Sequence, residues 1–396
     1  MKELVVKVVK PNHIQRRVTM DFGFTEEQEM LRTECRKFLE KECPTSLVRE
    51  IEKDERGHPI QLWRKMADLG WMGLIIPKEY GGSGRSFQDM TILLEEMGRV
   101  LLPGPFFSTV ILGVLPMLAA GTDEQKREFL PRVAEGKLLL TLAFTEPGAN
   151  YKAADIRTSA VRNNGDLLIN GTKLFVPNAH VADYILCVTR TNEGPTPQEG
   201  ITIFVVKASS PGIVVNMLDT MADDKQCEVS FDNVKVPMRN IIGQLNQGWE
   251  IVEKVIAEIS VAQCALMLGG AQRVLEMATE YATTRMQFSQ PIGAFQATAH
   301  RTADQMIDVD VSKHLTYQAA YRISEGLSCS REASIAKAWI NEAYQRVCLE
   351  AHQTHGGVGY TADYGLGLYT RRASAWKFSF GDTDFHLEIV ARERGL

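Results

Sequence analysis

A chain of 396 residues, 44% hydrophobic and 23% charged, has room for two or three globular domains with sizeable cores. Its formal net charge of −5 supplies no basic footprint for nucleic acid, while a local pocket for an acidic, phosphorylated ligand stays compatible with it. Seven scattered cysteines without a C-x-x-C pair describe reduced thiols of a cytoplasmic-type compartment and not a disulfide framework.

Residues 1–20 are mildly basic and lack both a long apolar run and a small-residue cleavage site. They are expected to be an N-terminal extension and not a secretory signal, with Met20 an alternative start. Residues 21–136 carry helical periodicity. Thr25-x-x-Gln28, Ser86-x-x-Asp89 and Thr122-x-x-Gln125 each spell a capping box that opens a helix. The uncharged run 100–121 is long enough to span a bilayer, but Pro103, Pro105 and Pro116 break it, so a buried core helix is expected and no membrane span.

Residues 137–238 have strand texture. Asn164-Gly165 and Asn170-Gly171 are pairs that favour tight hairpins. No helix pattern separates the strands, which predicts a mostly antiparallel barrel or sandwich. Residues 239–396 turn helical again. One long helix stops before Pro291, and further helices are expected over 294–325, 331–354 and 361–394, the last interrupted near Gly381. The expected fold class is therefore α+β: an all-α N-terminal domain, a middle antiparallel β domain and a C-terminal four-helix bundle.

The chemistry is not announced by a single motif. There is no Walker A sequence. GGSGRS and GGVGY are not strand-to-helix turns of a βαβ unit, so a dinucleotide-binding reading is weak. His352 and His355 stand three apart without a cysteine or carboxylate constellation, so no metal site is expected.

Four stretches in order are more specific: LAFTEPGAN (142–150), GTKLFVPNAHVADYIL (171–186), YATTRMQFSQPIGAFQ (281–296) and QTHGGVGY (353–360). Their order and spacing resemble the acyl-CoA dehydrogenase family over residues 21–396. The resemblance implies non-covalent FAD between the middle and C-terminal domains, across a subunit interface. It matches Phe144 and Thr145 to contacts with the flavin ring and Phe175 to an aromatic packed on it. Arg285 matches the pyrophosphate-binding arginine of a neighbouring subunit, with Phe288 and Gln296 as further cofactor contacts. Gln353, Gly356 and Gly357 match bare backbone near the ADP half, and Asp382 a further FAD contact. These residue types suit such a ligand, because a guanidinium fork fits a pyrophosphate and paired glycines admit close backbone. The implied reaction is α,β-dehydrogenation of an acyl-CoA, in a homo- or hetero-oligomer (a dimer of dimers), with an electron-transferring flavoprotein as electron partner.

Several positions depart from the family pattern. Phe380 stands where the usual catalytic Glu precedes Gly381. A phenyl ring takes no proton, although its backbone N–H can still polarise a thioester. The alternative base position on the long helix is Ile259, which leaves its neighbour Glu258 as the candidate base. Glu250, Lys254 and Glu258 also form one polar face, so Glu258 equally reads as a solvated partner of Lys254. Asp382 and Asp384 read as capping or cofactor-positioning groups, Asp89 as a helix cap and His386 as a structural hydrogen-bonder. Pro177 replaces a Thr that usually faces flavin N5, and Tyr151 replaces a small Ser. Tyr151, Phe380 and Gly381 are thus the expected substrate contacts in a reshaped or blocked tunnel. The function expected is an FAD-dependent acyl-CoA dehydrogenase acting on a bulky or functionalised acyl group. The alternatives are a base-less FAD-binding or scaffold subunit of a hetero-oligomer, and a relative with altered elimination chemistry.

Overall fold

The structure, a computed structural model, describes residues 24–148 and 151–396. The expectations for residues 1–20 lie outside the described residues. Six α-helices come first: α1 (Glu26–Glu42), α2 (Thr45–Lys53), α3 (Ile60–Asp68), α4 (Phe87–Arg99), α5 (Val114–Ala120) and α6 (Asp123–Ala134). All three capping boxes form: Thr25, Ser86 and Thr122 each accept from the third helical N–H, and Gln28, Asp89 and Gln125 reach back. Each cap stabilises its helix by about 1 kcal/mol. The Pro-broken apolar run is a buried π-helical turn, Phe107–Gly113, leading into α5. Among the described residues no helix is long and apolar enough to cross a membrane.

The middle region contributes β1 (Leu140–Ala143), β2 (Ser159–Asn163), β3 (Asp166–Pro177), β4 (Tyr184–Arg190), β5 (Ile201–Lys207), β6 (Ile213–Leu218), β7 (Gln226–Pro237) and β8 (Ile241–Ile242). They form one eight-stranded sheet, β6-β7-β3-β2-β4-β5-β8, with β1 on β4. Most pairs are antiparallel as expected, but β1 runs parallel to β4 and β2 touches β4 in parallel at Ser159–Arg190. The β2–β3 hairpin lies between β1 and β4 in the chain and serves as the crossover that a parallel pair needs. Asn164 and Gly165, both at positive φ, make that hairpin's turn. Asn170-Gly171 makes no turn. It is a bulge inside β3, where a Cβ on Gly171 would sit 2.7 Å from the Thr158 Cα. Close backbone, not chain reversal, is what the second glycine serves.

The C-terminal region holds α7 (Trp249–Thr284), a short hairpin of β9 (Met286–Gln287) and β10 (Gln290–Pro291), α8 (Gln296–Ser324), α9 (Ser330–His355), α10 (Leu366–Trp376) and α11 (Thr383–Glu393). The expected fourth helix is two, divided at Gly381. A single apolar core runs from α1–α6 across one face of the sheet into α7–α10, and a smaller one fills the other side of the sheet.

Helices α4 and α7 approach so closely that only glycine fits at the crossing. A Cβ on Gly98 would lie 2.0 Å from the Leu266 carbonyl oxygen, and one on Gly269 1.8 Å from that of Glu95. Gly269→Ala must therefore part the helices, and overpacking of this kind costs about 1–3 kcal/mol. A urea melt should show that loss, whereas Gly367→Ala, whose Cβ meets nothing within 4 Å, should stay near wild type.

Candidate active site

Where α4, the π-helical turn, the sheet and α10–α11 converge, they leave a cavity of about 770 Å³, in the range that suits a cofactor or small substrate. Thr145, Tyr151, Phe175, Pro177, Phe380 and Asp382 all line it. Residues of the first two motif stretches thus meet Tyr151 and the 380–382 segment in one place. A wider surface cleft, about 1610 Å³, lies between α2–α3 and the β6–β7 loop, and none of the sequence-predicted site residues reaches it.

Local chemistry places each side chain. The Glu146 carboxylate accepts from the Arg157 and Thr158 N–H groups and pairs with the fully buried Lys173 at 2.7 Å. Lys173 also donates to the Phe144 carbonyl at 3.1 Å. Its charge and those hydrogen bonds outweigh burial and hold the Glu146 carboxyl below its ordinary pKa. This buried pair ties the Phe144–Thr145 edge to β3. Phe144 itself is core, packed against Tyr151 and Trp249, and presents only backbone. Phe175 sits in the irregular stretch of β3 at φ 51°, with its ring 52% exposed on the cavity wall. A large aromatic held in left-handed backbone and left uncovered marks a surface built to meet a ligand ring.

The 380–386 segment is a set of reciprocal anchors. Phe380 and Gly381 both have positive φ. A Cβ on Gly381 would stand 2.4 Å from the Phe385 ring. Asp382 caps α11 by accepting from the Phe385 N–H at 2.9 Å. His386 Nε2 donates to the Phe380 carbonyl at 3.1 Å, and its Nδ1 faces the Ser334 hydroxyl at 3.3 Å. Burial, with the nearby Lys337 charge, pushes the His386 pKa down to about 3, so the imidazole is neutral. Lys337, fully buried, donates to the Trp376 and Gly381 carbonyls at 3.1 and 3.4 Å, and burial lowers its pKa to about 8. Asp384 is exposed in the first turn of α11, and Asp89 is spent in its capping box. Asp382 and His386 of this segment therefore organise backbone.

Two side chains define the centre. The Phe380 ring lies 6.0 Å from that of Phe107. The Phe380 N–H donates to the Tyr151 hydroxyl at 3.0 Å, and that hydroxyl donates to the Phe378 carbonyl at 3.2 Å. Burial raises the Tyr151 pKa, only partly offset by these hydrogen bonds, so the phenol is neutral. Of the five carboxylates on the cavity wall, Glu52 and Asp223 pair with Arg371, Asp224 lies 4.0 Å from Arg372, Asp382 is a cap, and Asp219 is exposed.

Glu258 does not line this cavity. It sits on α7, 3.9 Å from Lys254, with burial pushing its pKa up to about 7. The position one residue on, Ile259, is core. The expectation that Glu258 is the base is thus not supported by its placement: neither Glu258 nor Ile259 lines the cavity, which α7 meets further along, at Gln263 and Leu266. The remaining expected FAD contacts gather elsewhere. Arg285, Phe288 and Gln296 are exposed around the β9–β10 hairpin, and Gln353, Gly356 and Gly357 at the end of α9. The Tyr281–His355 ring contact at 4.5 Å brings the two groups to one end of the bundle. A Cβ on Gly356 or Gly357 would meet open space, Phe288 is 88% exposed at φ 52°, and no ion pair occupies the Arg285 guanidinium among the described residues.

These features define a protein of helix–sheet–helix build with an exposed aromatic on the cavity wall at Phe175 and a separate arginine- and glycine-bearing surface at one end of the bundle. Family models agree. Residues 25–137, 141–234 and 246–394 match the N-terminal, middle and C-terminal domains of acyl-CoA dehydrogenase. A 3-(aryl)acrylate reductase of Clostridium sporogenes is 34% identical, covering 93% of this chain and 98% of its own. The structure of butyryl-CoA dehydrogenase from Megasphaera elsdenii superposes with a TM-score of 0.89 at 28% identity, covering 95% of this chain and 100% of that one. An FAD complex of PigA gives 0.87 at 25% identity, with 95% and 100% covered. The chain belongs to the acyl-CoA dehydrogenase family of FAD-dependent oxidoreductases. Thr145, Phe175 and the exposed glycine–arginine surface fit that cofactor.

The raised Glu258 pKa yields a stability prediction. A carboxyl whose folded pKa lies above its unfolded value binds more protons when folded, so its contribution is complete below about pH 4.5 and is lost as pH rises through about 7. Glu258→Gln should therefore gain on wild type on the order of 1–3 kcal/mol at pH 8 and little at pH 4.5. Urea melts at the two pH values measure this.

Proposed function

We propose that the chain uses FAD for two-electron chemistry at the Cα–Cβ bond of a CoA thioester, with the Tyr151 phenol as the proton-carrying group beside the thioester. The observation behind this reading is the hydrogen bond from the Phe380 N–H to the Tyr151 hydroxyl at 3.0 Å. It puts a protonatable side chain at the backbone donor that the family uses to polarise a thioester. When bound and reduced by its electron partner, FAD would supply the hydride for the β carbon. When the thioester oxygen takes the Phe380 N–H, that donor stabilises the negative charge developing there, and Tyr151 is released toward the α carbon. A neutral phenol is a poor base but a serviceable acid. Tyr151 is therefore suited to the reductive direction, in which it would give its proton to Cα and be reprotonated from solvent. Similarity to a reductase of 3-(aryl)acrylate supports that direction. The exposed Arg285, Phe288 and Gly356–Gly357 surface suits completion of the cofactor site by a second family subunit. An electron-transferring flavoprotein is the electron partner proposed.

Anaerobic reoxidation of the reduced flavin by α,β-unsaturated CoA thioesters tests this. Tyr151→Phe should slow it by roughly 10²–10⁴-fold with FAD content unchanged, and an undiminished rate would sink the assignment. The wild-type rate should stay flat from about pH 5 to 9 and fall only above the ordinary phenol pKa of 10.0, because burial raises the Tyr151 value. An acidic limb would instead point to a carboxylate.

A second reading rests on the Phe380 ring at the base position: the chain holds FAD while a partner chain of the same family supplies the base. Under it the lone chain is inert toward saturated and unsaturated thioesters alike, and turnover appears only with the partner. Phe380→Glu in the lone chain should then gain flavin bleaching by saturated acyl-CoA.

A further inference from the structure

Part of the cavity wall is built from Leu94 and Met97 of α4, Phe106 and Phe107 at the start of the π-helical turn, and Leu266 of α7. All are apolar, and all but Phe107 are buried. The exception among them is Gln263, one α7 turn before Leu266. It lines the same cavity, is 3% exposed, and its amide Nε2 has no hydrogen-bond partner. Ser108 of the same turn also lines the cavity, but its hydroxyl is bonded to the Pro105 carbonyl; an unpartnered buried amide is costly. Buried polar groups are so regularly paired that this orphan, facing a cavity, calls for a partner there. The terminal amide torsion is broad, so Gln263 can turn its N–H₂ onto whatever fills the cavity.

We propose that Gln263 is a specificity-determining residue that selects an acyl group carrying a neutral hydrogen-bond-accepting oxygen, such as a ketone, hydroxyl or ether, part-way along its chain. This rests on the reading that the cavity receives a CoA thioester. A plain alkyl chain leaves the amide unpaired. A carboxylate fares no better, because a single neutral amide does not offset the desolvation of a charge. The cavity's cations are committed elsewhere: Arg372 beside Glu52 and Asp224, Lys225 on the Glu52 carbonyl, and Lys152 on Glu388. Selection works through the unpaired amide, since a site that bonds a substrate oxygen rejects the analogue without it more strongly than an apolar pocket rejects a methylene.

The test is calorimetric binding to the FAD-loaded protein, which needs no turnover. The panel is straight-chain C6–C8 acyl-CoA thioesters beside equal-length analogues with a keto or hydroxyl group at C4 to C7, and ω-carboxyl analogues. At least one neutral oxygenated analogue should bind about 10- to 100-fold tighter than its alkyl counterpart, with the carboxylates weaker than both. Gln263→Leu should abolish or invert that preference. It should also leave the melting temperature equal or higher, because it removes a buried unpaired group, whereas a purely structural glutamine would lower it. Equal affinities for alkyl and oxygenated chains, or an unchanged preference in Gln263→Leu, overturn the inference. Absence of binding by every thioester instead overturns the underlying reading of the cavity as a thioester site, and the inference with it.

Discussion

The contact on which the molecule depends is the bare-backbone crossing of α4 and α7 at Gly98 and Gly269. It joins the N-terminal helices to the C-terminal bundle at a separation no side chain permits. It also faces Leu94 and Met97 toward Gln263 and Leu266 across one cavity. Charged groups fix its register. Glu96 binds Arg36 in two hydrogen bonds, Arg99 binds Glu276 in two, and Glu95 meets both Arg32 and Tyr317. Such buried charges repay their desolvation poorly in stability. Here they join α1, α4, α7 and α8 in a single arrangement, and removal of either partner would strand a charge.

The second organising element is the Phe380–His386 turn. Its density of Asp and His suggests acid–base chemistry, yet Asp384 is exposed and the buried groups are consumed by backbone. Asp382 caps a helix, His386 holds the Phe380 carbonyl, and Lys337 holds that of Gly381. The result is a Phe380 N–H fixed in direction and a phenyl ring where a carboxylate would otherwise stand. The Tyr151 hydroxyl, from a loop 229 positions away, accepts from that N–H, which is why it is the group proposed to carry the proton. Burial keeps both His386 and Tyr151 neutral, by opposite shifts with one cause: a low-dielectric surrounding disfavours whichever form is charged.

Much of this was legible in the chain. Capping boxes and helical periodicity are local codes, so α1, α4, α6 and the long α7 could be placed from the residues themselves. The ordered motif set pointed to the family, and Phe380 stood out as a departure without any coordinates. Local codes also misled. Asn170-Gly171 has the spelling of a hairpin but serves a bulge against Thr158, because the need for a glycine came from a neighbouring strand. Glu258 adjoined the right position on α7 yet faces Lys254, because adjacent residues on a helix point in widely different directions. Gln263 was silent in sequence, since one glutamine in an apolar run carries no signal until its surroundings are known.

The sequence alone determined the order of helices and strands, the cofactor class and the presence of a phenylalanine just before Gly381, because these reside in residue identity and short-range spacing. Tertiary structure decided which side chains share a cavity, that Tyr151 occupies the Phe380 N–H, and that Gln263 is buried without a partner for its amide. Hydrogen-bond satisfaction and burial are properties of surroundings, and surroundings are assembled from residues far apart in the chain.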